Sequence, residues 1–119
     1  MTPKHFLLEL YNINFYFFIG CDPRAFTEHL DLHFDIETDI TDYDRGATLF
    51  DEDHRAVFLW VRSGHDMAAT LVHESVHAAC FALDWAGVYV DLKEDEALAY
   101  LAELVYLKAA PEIVVECKH

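Results

Sequence analysis

Aromatic and branched side chains crowd the stretch from Tyr11 to Ile19, which predicts a strand. Asp22-Pro23 has the form of an N-cap followed by proline at the first helical position, opening a helix from about Pro23 to His33. Asp35 to Asp44 is polar and acidic, a loop. Two short extended runs, Ala47 to Phe50 and Ala56 to Arg62, are joined by Asp51-Glu52-Asp53-His54 and predict a β-hairpin. The nineteen positions from Asp66 to Asp84 hold three acids and no Lys or Arg, and are apolar nearly all the way round, the pattern of a central, buried helix. Gly87 is placed to follow its C-terminus. Asp91 and Glu94 form a D-x-x-E capping box for a second helix running to about Lys108, limited by Pro111, with Ile113 to Val115 as a last strand or tail. These elements describe one α+β domain over residues 1–119, a small antiparallel or mixed sheet packed on the buried helix and its successor.

Composition narrows the function. Of 119 residues, 8 are Lys or Arg and 22 are Asp or Glu, a net charge of −14 that repels a polyphosphate and argues against a nucleic-acid surface. Basic partners and cations are favoured instead. Cys21, Cys80 and Cys117 are odd in number and irregular in spacing, unlike the framework of a small secreted domain, which points to a reducing compartment. No apolar run approaches the ~18 residues of a membrane-spanning helix. Phe6 to Gly20 resembles a signal sequence superficially, but Glu9, Asn12 and Asn14 interrupt it and no small-residue cleavage site follows, so the stretch reads as a strand.

Inside the apolar helix lies His73-Glu74-Ser75-Val76-His77, the pattern HExxH. Residues four apart share a helix face, so both imidazoles can reach one metal ion, while Glu74, about 100° further round, can meet a water beside it as a general base. With 8 histidines and 10 glutamates, shuffling would produce this pattern with a probability of roughly 0.05, so the motif alone is modest. Its flanks sharpen it. Thr70-Leu71-Val72 before the motif and Ala78-Ala79 after it match the longer zinc-metallopeptidase signature, with Thr three positions ahead of the first His and uncharged residues between. The chain thus resembles the zincin superfamily. Two imidazoles and a carboxylate in one turn of an apolar helix are also costly to bury without a cation to balance them. His29 and His33 repeat the i, i+4 spacing, but Leu30 follows His29 and the surroundings are polar, so that pair reads as surface.

A catalytic zinc takes a third protein ligand and keeps one position open. Downstream candidates are Asp84, Asp91, Glu94, Asp95, Glu96, Glu103 and His119. Glu96 flanks a stripe of Ala97, Tyr100, Leu101, Leu104 and Leu107, and lies nineteen positions after His77, a spacing that resembles the gluzincin branch, where a glutamate on the following helix completes the site. That branch often carries an acid four residues beyond the ligand; here the position is Tyr100, leaving Asp66 or Glu103 to support a zinc histidine. The metzincin extension and the upstream cysteine motif of peptide deformylases are absent, and Cys80 reads as a core residue.

The resemblance implies a Zn2+-dependent peptidase, with His73, His77 and Glu96 as ligands and Glu74 as base, acting on peptides or unstructured proteins. Tyr89, Tyr100 and His65 are candidate oxyanion donors. In zincins an edge strand ahead of the metal helix receives the substrate, and Ala56 to Arg62 holds that place, although its apolar residues point both ways and fit a plain core strand equally well. Size and element order resemble the small HExxH peptidases of tailed phages and prophages, implying a bacterial cytoplasm, no membrane and no nucleic acid. So short a chain lacks a second lobe, so substrates should be flexible, or a protein partner completes the cleft. The competing expectation is an acidic interaction protein such as a DNA mimic, because Glu28 to Asp53 holds ten acids and one arginine. A third is a zinc-binding pseudo-peptidase.

Overall fold

The computed structural model describes residues 2–91, 93 and 95–116, with side chains through residue 113. Its elements are β1 (Lys4–Leu8), β2 (Ile13–Ile19), α1 (Pro23–Phe34), β3 (Gly46–Asp51), β4 (Ala56–Val61), α2 (Met67–Trp85) and α3 (Glu96–Glu116). The strands form one mixed sheet in the order β1-β2-β4-β3, with β2 and β4 parallel and the outer pairs antiparallel. Strand alternation divides the side chains between two layers. Phe18, Phe58 and Trp60 meet Phe26 and Leu30 of α1 on one face. Ile13, Phe15, Phe17, Val57, Leu59 and Val61 meet Leu71, Ala78, Ala82, Leu101 and Val105 of α2 and α3 on the other. The chain is α+β, as its sequence predicts.

Local chemistry explains the ends of α1: the Asp22 side chain accepts from Ala25 N at 2.7 Å, and Asp35 closes the helix in the left-handed conformation. Three expectations are corrected. The apolar stretch before Gly20 is two strands, reversed at Asn12, whose φ of 55° is one that asparagine tolerates. Helix α3 begins at Glu96 and runs through Pro111 instead of stopping near Lys108. Proline removes one helical hydrogen bond, and both Pro111 and Leu107, whose carbonyl loses its donor, are exposed to water. Asp91 accepts from Lys93 N, two residues on, and Glu94 of the expected capping box lies outside the described residues. Finally, α2 is buried on one side only, with Val72 53% and Val76 41% exposed.

The hairpin forms as expected, but its strands exchange roles. Every residue of β4 is fully buried and β4 is paired on both sides, so Ala56 to Arg62 is not an edge. The edge is β3. Gly46, Thr48 and Phe50 of β3 share the face that looks onto α2. A Cβ on Gly46 would stand 2.8 Å from both Thr70 Cγ2 and the Trp60 carbonyl oxygen, and 3.2 Å from Glu74 Cγ. Glycine therefore permits β3 to approach the HExxH turn this closely.

Candidate metal centre

Helix α2 carries all of HExxH in its middle, as the sequence predicts. His73 and His77 lie on its solvent-facing side with Nε2 atoms 3.2 Å apart. Two nitrogens each ~2.0–2.1 Å from a tetrahedral zinc would be about 3.3 Å apart, so the pair is spaced as zinc ligands are. Glu74 turns the other way and is only 7% exposed. Its Oε1 accepts from Thr48 Oγ1 of β3 at 2.8 Å, and its Oε2 stands 4.0 Å from His73 Nε2. A buried carboxylate held by one hydroxyl, with its second oxygen toward the His73 imidazole, is an arrangement that a cation would stabilise.

A cleft of about 360 Å³ opens beside this turn, lined by Arg45, Gly46, Asp66, Ala69, Thr70, His73 and Glu74. Arg45 and Asp66 form an ion pair at its rim, so Asp66 is paired with arginine rather than with His73 or His77. The cleft thus joins the HExxH turn to the start of the edge strand β3.

The third ligand is not brought to the pair. Among the described residues no group of three His, Cys, Asp or Glu side chains is gathered as a metal would need. Glu96 is exposed in the first turn of α3. The buried stripe of α3 is Leu101, Val105 and Ala109, while Ala97, Tyr100 and Leu107 are exposed, which rotates the helix away from the expected stripe and Glu96 with it. Apolar residues surround α3, so its pattern does not single out one face. Glu103 borders the groove between the two helices with Val72, Ser75, Val76, Ala102 and Tyr106, level with the HExxH turn. Asp84, Asp91 and Asp95 are exposed, and Glu94 and His119 lie outside the described residues.

The oxyanion candidates Tyr89, Tyr100 and His65 are exposed and do not line the cleft. Cys80, expected in the core, is exposed on the same side of α2 as the histidines. Cys21 is the sheltered thiol, which burial foremost, and Asp22 after it, push up to about 11. Sequence reasoning missed Arg45, Gly46 and Thr48. Gly46 at a strand's start was the only local signal, since a glycine there marks a close approach of backbone.

Compared with known proteins, the chain matches no family model, no curated protein and no solved structure. The functional reading therefore rests on the residues of the site.

Proposed function

We propose that this chain is a zinc-dependent hydrolase that cleaves peptide bonds, with His73, His77 and Glu96 as metal ligands and Glu74 as general base, on a minimal zincin-like fold. The observation that carries the reading is the pair of imidazole nitrogens 3.2 Å apart with a buried carboxylate in the same helical turn. Bound zinc would polarise the scissile carbonyl and acidify the attacking water. Glu74 Oε2 would accept a proton from the attacking water and return it to the leaving amine. Glu96 opens α3, and its ligation requires the first turn of that helix to close toward α2.

The edge strand β3 borders the cleft and offers main-chain groups to an extended peptide, the role first assigned to Ala56 to Arg62. Flexible, basic peptides suit an acidic chain whose cleft is shallow, and a protein partner would supply the missing wall. The phage-type resemblance adds a bacterial cytoplasm as the place of action. No helix among the described residues is long and apolar enough to cross a membrane.

The test is hydrolysis of an unstructured protein by material purified without added metal, with and without a chelator. The reading predicts activity that the chelator abolishes and zinc restores. Glu74→Gln should keep its zinc and lose about 10²–10⁴-fold in rate. Zinc without turnover would leave a pseudo-peptidase. Indifference to the chelator and to the substitution would favour the acidic interaction protein, for which Glu28, Asp31 and Glu37, lining one shallow cavity beside α1, supply a face.

A further inference from the structure

We infer that Thr48 is a positioning residue for the base: its hydroxyl fixes the Glu74 carboxylate so that one oxygen is held and the other is presented to His73. The inference rests on the hydrolase reading for its catalytic consequence, but its geometry stands on Thr48 and Glu74 alone. Thr48 Oγ1 lies 2.8 Å from Glu74 Oε1 and 3.1 Å from the Glu74 carbonyl oxygen. A hydroxyl has one proton, and the nearer, charged acceptor takes it. Oε1 is thereby occupied. Oε2, 4.0 Å from His73 Nε2, remains the oxygen directed to the place where a water would be deprotonated.

A free glutamate has three rotatable side-chain bonds, and a base that samples several orientations spends little time in the reactive one. Burial to 7% exposure restricts where the carboxylate can go but does not choose which oxygen faces His73. The Thr48 hydroxyl makes that choice. Its own placement comes from the edge strand: Thr48 pairs with Leu59 of the buried β4, and Gly46, two residues earlier on the same face, lets the strand lie against Thr70 and Glu74. The sheet thus sets the base's orientation from a residue 26 positions away in sequence. Substrate added along the edge of β3 would sit beside the strand that carries this hydroxyl.

Thr48→Val keeps the shape and removes the donor, whereas Thr48→Ser keeps the donor. Zinc content, kcat and KM for an unstructured substrate, and crystal structures of the metal-free wild type and both variants would be compared. The inference predicts full zinc content in both variants. In Thr48→Val, kcat should fall on the order of 10–100-fold with KM within about twofold, and Thr48→Ser should restore most of it. In the metal-free crystals the Glu74 carboxylate should turn or lose order in Thr48→Val and keep its wild-type orientation in Thr48→Ser. An unmoved, ordered carboxylate in Thr48→Val overturns the inference whatever the activity. Equal kcat in Thr48→Val and wild type overturns it as well. Absence of zinc-dependent hydrolysis in the wild type would instead sink the hydrolase reading, leaving the crystal comparison to decide the positioning role.

Discussion

Two helices of this chain carry histidines four residues apart, and the residue that follows the first histidine separates them. On α1, His29 and His33 have ring centroids 4.3 Å apart, and Leu30 between them is fully buried against Phe18, Phe26 and Trp60. On α2, His73 and His77 have centroids 4.8 Å apart, and Glu74 takes the core-facing position. The first pair completes an amphipathic helix in the ordinary way, with leucine inward. Burial, and after it the neighbouring His33, hold His29 below the ordinary imidazole value. In the second pair the inward residue is a carboxylate, which costs stability unless hydrogen bonds and a cation compensate it. Spacing alone therefore does not separate the two pairs; on the proposed reading, the chemistry of the buried neighbour does.

The most direct way to break this contrast is to remove one histidine from each pair. His73→Ala or His77→Ala should weaken zinc binding by more than the roughly 10–100-fold that loss of a merely supporting residue costs, as read by competition with a chromophoric chelator. His29→Ala and His33→Ala should leave it unchanged. Equal losses at the two helices would make the buried carboxylate irrelevant.

A smaller effect sharpens the choice of third ligand. Glu96→Gln should weaken zinc binding more than Glu103→Gln, by competition under the same conditions. The reverse order would assign ligation to the acid that stands beside the HExxH turn rather than to the one at the gluzincin spacing. The smallest effect concerns the control helix: Asp22→Ala removes the cap of α1 and should lower unfolding free energy by about 1 kcal/mol in urea, with zinc affinity unaltered.

Features written in adjacent residues were legible. The cap at Asp22, the start of α1, the hairpin through Asp51–His54 and the extent of α2 all follow from local chemistry, and HExxH needs only one helical turn to be read. Features set by tertiary packing were not. Leu8 and Ile13 pair across a turn that contains neither glycine nor proline, so one apolar stretch concealed two strands. The face of α3 was misassigned because apolar residues occupy all its sides, and with it went the expected stripe beside Glu96. Edge and centre were exchanged within the hairpin because strand order depends on β2 choosing β4 as its parallel neighbour. Thr48 was invisible for the same reason: nothing near it in sequence announces that a strand will set its hydroxyl against a helix glutamate.

The central claim is that a single divalent cation belongs between two particular nitrogens. Anomalous scattering at the zinc edge, from crystals of protein purified without added metal, tests it most directly. One peak is expected, within about 2.0–2.1 Å of both His73 Nε2 and His77 Nε2, with a carboxylate from α3 nearby. No peak at those nitrogens, or one at His29 and His33 instead, would contradict it.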